Sequence, residues 1–342
     1  MIPVPANTSA VPKTDQQTDW RPGASREVLQ MRAMLMGRIR DFFREQGVLE
    51  VDTPTLSSSA TTDPAIESLQ TRYTGPEAAD GKALYLQSSP EFFMKRLLAT
   101  GCGPIYQLAH VFRDGEYGAR HNPEFMMLEW YRPGFNHHQL MDEIDALLVE
   151  VLAGLVDYQP ARRISYRDWF IENTGLDPWI DEIVAFQQFA EKNLEGSLPG
   201  LDEEGLDAWL DLLVTHWLEP RLDASALFVF DYPPSQASLA RLRGDGHPVA
   251  ERFELYFGAV ELANGFHELS DSAEQQQRFM EENIQRTKRG KKEMPMDKAL
   301  IAALSHGLPD CSGVAIGFDR LLMVAAGETR IDAVMPFGLE RV

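Results

Sequence analysis

Cysteine, long apolar runs and positive charge are all scarce in this 342-residue sequence, and each shortage narrows what the chain can be. Its two cysteines, Cys102 and Cys311, are too few for a disulfide framework and suit a reducing compartment. No apolar run approaches the roughly 18 residues that a membrane-spanning helix needs. The longest candidate, residues 146–156, is broken by Glu150 and Gly154. The N-terminus lacks the basic-then-apolar pattern of a secretory signal. A cytoplasmic protein without a membrane segment is the expectation. Basic residues number 32 against 52 acidic ones, for a net charge of −20. Tight nucleic-acid binding is driven by neutralising phosphates and usually leaves a basic footprint. As a whole this chain repels tRNA and attracts basic surfaces, which leaves room only for a local basic patch. Composition alone allows an equal alternative, charge kept for solubility.

What is present is ordinary for one large folded core: 44% hydrophobic and 25% charged residues. Residues 1–24 lack apolar periodicity and are expected to form a disordered tail. From Ser25 onward, Val28, Leu29, Met31, Leu35, Ile39, Phe42 and Phe43 fit one face of a helix ending near Gly47. Strands are predicted at 48–51, 83–87, 105–112, 125–131 and 227–232. Ser89-Pro90-Glu91 looks like a helix start, with a hydroxyl, a proline and a first-turn acid. The polar stretch 113–124 is too long for an ordinary hairpin loop, which points to a functional role. Residues 137–222 are predicted to be a helical insertion. A hairpin is expected around Gly258, then helices at 273–289 and 297–305, and a strand at 313–316 running into a helix at 319–326. There is no internal repeat. The pattern predicts an α+β fold, an antiparallel β-sheet flanked by helices.

Several blocks carry chemistry. They are FFREQGVLEVDTPTLS at 42–57, SPEFFMKRL at 89–97, VFRDGEYGARHNPEFMMLEWY at 111–131, RFELYFGAVELANGFHEL at 252–269 and GVAIGFDRLLM at 313–323. In this order they resemble the signature motifs of class II aminoacyl-tRNA synthetases, and HNPEF and ELANGF resemble the lysine-specific branch. The resemblance spans roughly residues 30–325 and implies the class II catalytic core. It also implies formation of an aminoacyl adenylate from ATP with Mg²⁺, and a homodimer formed through the first block.

Activating a carboxylate requires attack on the α-phosphate of ATP, so fixed cations must meet phosphate charge. Arginine suits this task because its planar fork donates two hydrogen bonds and stays charged. By resemblance, Arg113 holds the α-phosphate and Arg320 the γ-phosphate, and these two are the catalytic candidates. Asp114, Gly115, Glu116, His121, Asn122, Phe125, Glu261, Leu262 and Gly317 complete the ATP-binding set, with Phe125 stacking on adenine. Glu254 and Glu261, seven apart across Gly258, can face each other in an open hairpin and are the Mg²⁺ candidates.

The amino-acid pocket is expected to comprise Ser89, Pro90, Glu91, Glu129, Tyr131, Asn264, Glu268 and Ala315, with Glu268 facing the distal ammonium. An ammonium about 4 Å from one carboxylate gains on the order of 4 kcal/mol at an effective dielectric of 20, before desolvation. Two positions depart from the synthetase pattern. Gly115 stands where the family carries glutamate, so either Glu116 shifts into that role or backbone meets the adenine amino group. Ala315 stands where lysyl-tRNA synthetases carry glycine, and its methyl should disfavour α-lysine.

The helix that leads into the first block starts near residue 25, and the short tail before it is expected not to form an anticodon-binding domain. This truncated form resembles the elongation factor P–(R)-β-lysine ligase family. That resemblance implies (R)-β-lysine as substrate, elongation factor P as acceptor and no tRNA partner. The rivals are a stand-alone enzyme acylating tRNA, an amide synthetase making a small molecule, and a non-catalytic regulator built on the same fold.

Overall fold

The computed structural model describes residues 20–78, 80–195, 205–244 and 247–342. Most of the predicted tail lies outside these residues. Its last part does not: the N–H groups of Gly23 and Ala24 donate to Pro336 O and Met335 O at 2.8 and 3.0 Å. Helix α1 (Arg26–Glu45) follows at once, with Ser25 Oγ accepting from Val28 N at 3.3 Å. Leu35, Ile39, Phe42 and Phe43 form its buried stripe. The chain turns out of the helix at Gly47, whose φ of +67° favours glycine.

Next come β1 (Leu49–Glu50), β2 (Leu56–Ser57), β3 (Gln70–Tyr73), β4 (Lys82–Leu86) and α2 (Glu91–Ala99). Strands β5 (Ile105–Phe112) and β6 (Glu124–Pro133) lead into α3 (His137–Val151). The stretch predicted as helical, with a break near 158–160, holds a strand after that break, β7 (Arg162–Ser165), before α4 (Tyr166–Thr174), α5 (Ile183–Asn193) and α6 (Leu206–Leu213). Only Ile164 of β7 is buried, so no alternation announces it, and its pairing with a distant strand makes it a strand. The chain closes with β8 (Ala226–Tyr232), β9 (Leu242–Arg243), β10 (Val249–Phe257), β11 (Val260–His267), α7 (Ser272–Lys288), α8 (Lys298–Gly307), β12 (Cys311–Gly317) and α9 (Phe318–Ala326).

The main sheet runs β1-β5-β6-β12-β11-β10-β8-β7, with β9 beside β10, while β2-β4-β3 form a small second sheet. The fold is α+β. The main sheet is mixed, because β1 pairs with β5 and β7 with β8 in parallel while the other pairs are antiparallel. Alternation along the strands separates two environments. On β6, Leu128 and Trp130 enter a core shared with α1, α3 and α9, whereas Met127, Glu129 and Tyr131 line a cavity. In that core Phe43 stacks on Tyr106 at 4.4 Å and meets Trp130 edge-on at 5.3 Å. Asp319 ties the layers together: it takes Arg32 Nη1 at 2.5 Å and Met126 N at 2.7 Å. A second core packs α4, α5 and α6 on β8 and β10. A third packs α2 and α8 beneath one end of the cavity, with Tyr131 common to both.

Candidate active site

Three central strands set one row of the site by register alone. Glu129 on β6 is opposite Ala315 on β12, which is opposite Asn264 on β11. One pleat along, Tyr131, Gly313 and Phe266 form the next row. A Cβ at Gly313 would lie 2.3 Å from the Tyr131 ring and 2.5 Å from Glu268 Oε1, so only glycine lets these two side chains meet there. A single cavity, open to solvent at its mouth, lies above these rows.

One end of the cavity is anionic. Ser89 Oγ donates to Glu129 Oε2 at 2.7 Å, Tyr131 OH donates to Glu129 Oε1 at 2.7 Å, and Glu91 N donates back to Ser89 Oγ at 3.0 Å. Ser89 thus acts at the start of α2, although Pro90 occupies the residue before the helix. Lys95, one turn along α2, was not anticipated as a site residue. Its buried ammonium lies 2.6 Å from Glu91 Oε1 and 2.6 Å from Glu268 Oε2, the second contact being an ion pair without hydrogen-bond alignment. Burial and then the Glu91 charge push Glu129 up to about 8. Burial likewise pushes Glu268 up to about 7, against the pull of Lys95. Burial opposes the Lys95 charge, but Glu268 and Glu91 outweigh it and hold the ammonium above its usual value.

The other end is cationic. The 113–124 loop is held at its base by Arg113 N to Pro123 O at 2.8 Å, and Asp114 N donates to Glu67 O at 2.8 Å. The Arg113 guanidinium lies 5.2 Å from the Phe125 ring centre and 3.5 Å from Glu116 Oε1. Arg320, in the first turn of α9, donates to Glu261 O at 2.9 Å and reaches Glu261 Oε2 at 3.5 Å. Its Nη2 is 2.6 Å from His121 Nε2. Burial and then the Arg320 charge lower the His121 pKa, so a neutral ring accepts from the guanidinium. Asn122 faces the cavity while its Oδ1 accepts from Leu339 N at 2.9 Å, which pins the loop to the C-terminal segment.

Nearly all the predicted site residues therefore line one cavity, including Leu262, Gly317 and Ala315. Pro90, Asp114, Gly115 and Glu254 do not. Gly115 has a φ of +79°, a left-handed turn that glycine adopts without strain, with open space around it. Glu254 and Glu261 are not cross-strand partners. Glu254 is opposite Asn264 and Glu261 opposite Tyr256, because the β10–β11 ladder shifts register between Leu255 and Tyr256. Glu254 is bound by Arg252 and by Tyr256 OH, the latter at 2.5 Å. The two acids still sense each other: burial first, and then the Glu254 charge, raises Glu261. Lys95 could have been found from sequence, since it stands four residues after Glu91 on one helix face. Glu282, which lines the cavity and accepts a hydrogen bond from Thr62, carries no such signal.

A mostly antiparallel sheet with a strand–helix junction that delivers an arginine beside a loop-borne one is the core of a class II aminoacyl-tRNA synthetase. The family described as tRNA synthetases class II (D, K and N) matches residues 12–341. Curated relatives include an elongation factor P–(R)-β-lysine ligase from Pectobacterium atrosepticum, 45% identical over 95% of this chain and 99% of its own. Those of Salmonella typhi and Yersinia enterocolitica are each 47% identical, over 94% and 95% of this chain and 98% and 99% of theirs. The chain belongs to the class II tRNA synthetases (D, K and N) and, among them, to the elongation factor P–(R)-β-lysine ligase family.

Proposed function

We propose that this protein is an ATP-dependent ligase that activates (R)-β-lysine as its adenylate and transfers the acyl group to a lysine side chain of elongation factor P. The observation that carries the reading is the charge arrangement of the anionic end. Glu91 and Glu268 share a single internal ammonium, Lys95, while a third acid, Glu129, is held by the Ser89 and Tyr131 hydroxyls. When all are ionised, two negative charges remain, matching a substrate with two ammonium groups. The names of the relatives supply (R)-β-lysine and elongation factor P.

In this reading Arg113 and Arg320 hold the α- and γ-phosphates, and Phe125 stacks on adenine against the Arg113 guanidinium. Neutral His121 fixes the rotamer of Arg320. Glu116, already 3.5 Å from Arg113, takes the place left by the glycine at 115. A carboxylate oxygen of the amino acid attacks the α-phosphorus and pyrophosphate leaves. An acceptor amine then attacks the adenylate carbonyl, forming an amide and releasing AMP and a proton. Mg²⁺ fits where Glu261 opens on the cavity beside the Glu254 charge. Glu261 would be its direct ligand, with Glu254 backing it from within the sheet. When bound, the ion neutralises phosphate charge.

A homodimer through the first block, residues 42–57, is part of the same reading, supported by its exposed apolar side chains Leu49 and Leu56. So is a cytoplasmic location; among the described residues no helix is long and apolar enough to cross a membrane. The test is ATP–pyrophosphate exchange with α-lysine, (R)-β-lysine and (S)-β-lysine, followed by acyl transfer to elongation factor P and to lysine tRNA. Preference for (R)-β-lysine, with label moving onto the protein, is the expected outcome. Preference for α-lysine with label on tRNA would refute it.

A further inference from the structure

The chain has a net charge of −20, yet five of the seven residues from Arg286 to Lys292 are basic. This run ends α7 and turns back from it, and its members divide by position. Arg286 is fully buried: its Nη1 donates to Asp63 O and Ile66 O at 3.0 Å each, and its Nη2 meets Glu67 Oε2 at 2.7 Å. Lys291 Nζ donates to Pro64 O at 2.7 Å. Arg286 Nε holds Lys292 O at 2.9 Å, and Asn283 bonds Met294 in both directions at 3.0 and 2.8 Å. Lys288, Arg289 and Lys292 are left facing solvent on a turn fixed at several points.

This platform adjoins the cavity. Asp63 and Ile66, whose carbonyls hold Arg286, line the cavity wall, and so do Phe279 and Glu282 on α7 itself. Lys288 is six residues beyond Glu282, about 9 Å along the helix axis. A protein laid over the mouth so that one of its lysines reaches the cavity would also cover this turn.

We infer that the exposed basic turn 288–292 docks an acidic face of the protein acceptor and so orients its lysine over the cavity. The inference rests on the ligase reading above. On a chain of net charge −20, this turn is a place where the local field attracts an acidic face of a partner protein. A polyanion such as RNA fits less well. Three exposed cations neutralise few phosphates, too little to offset repulsion from the rest of the chain.

The experiment uses the full chain carrying Lys288→Glu and Lys292→Glu together, with (R)-β-lysine and elongation factor P. ATP–pyrophosphate exchange should match that of the unaltered protein, which also shows that the variant is folded. The KM for elongation factor P should rise roughly tenfold with little change in kcat, as for a lost steering patch. Added salt should raise this KM in the unaltered protein and hardly move it in the variant, and Lys→Arg at both positions should leave it unchanged. An unchanged acceptor KM in the double variant would overturn the docking role. So would a variant that loses only affinity for bulk tRNA, which would make the turn a nucleic-acid contact. Exchange without any transfer by the unaltered protein would instead refute the acceptor in the proposed function, and the dock with it.

Discussion

The two ends of the cavity solve opposite electrostatic problems with different parts of the fold. At the anionic end, Glu129 and Glu268 come from the central sheet region and Glu91 from the first turn of α2, all packed over a core and largely out of water. At the cationic end, Arg113 begins a loop and Arg320 a helix, and both are more open to solvent than the acids. Carboxylates held out of water have perturbed proton affinities, and two of them lie at about 7 and 8. Guanidinium groups stay charged wherever they are placed. In the proposed reading, rigid strands would define a small diammonium pocket to within a methyl group. Phosphates, with their charge spread over many oxygens, would be met by forks on loops and helix starts that need position more than seclusion.

The largest test of this division is at the cationic end. Arg113→Ala removes a charge-assisted donor while leaving the anionic pocket intact, so pyrophosphate exchange should fall about 10³-fold. Binding of β-lysine alone, measured by calorimetry, should persist. Loss of both would show that the two ends are not separable.

A second test uses pH. Glu129 is raised by burial from an ordinary 4.5 to about 8 in the folded chain. Between about pH 5 and pH 8 the folded protein therefore keeps a proton that the unfolded chain has released, so this group costs stability progressively as pH rises. The Tm of the ligand-free protein should fall by a few degrees over that window. Glu129→Gln should flatten the slope, and so should saturating β-lysine, which brings its own cation. A slope unaffected by the substitution would place the proton elsewhere.

The smallest effect should come from a single methyl. Ala315 is between Glu129 and Asn264 in register. Ala315→Gly should shift the ratio of kcat/KM for α-lysine over β-lysine upward by roughly tenfold, the scale of one methyl in a shaped pocket. An unchanged ratio would mean that selectivity is set by the placement of the acids and not by the floor between them.

Much of the fold was legible because local pattern and tertiary role agreed. The stripe of α1, the strands on both sides of the 113–124 loop and the turn at Gly258 all fall where periodicity puts them. β7 was not legible, because four residues with one buried side chain hold no pattern until β8 pairs with them. Glu254 and Glu261 do not face each other because the hairpin turns after Gly258: with Phe257 opposite Val260, Glu261 falls opposite Tyr256, and the register shift carries Glu254 on to Asn264. Lys95 stood in plain view after Glu91, yet its second partner, Glu268, comes from the far end of the chain.

The sequence by itself determined the chemistry on offer: which arginines, carboxylates and aromatics exist, and in what order they follow strand and helix signals. Residue types and short-range spacing are local properties, and local properties survive reading in one dimension. Only the tertiary structure decided which charges meet. Lys95 pairs with two of three acids, Arg252 holds Glu254 away from the cavity wall, and Arg286 anchors a basic turn beside the mouth. Those pairings depend on distances of a few ångströms between groups far apart in sequence, and electrostatic energy is set by distance and burial.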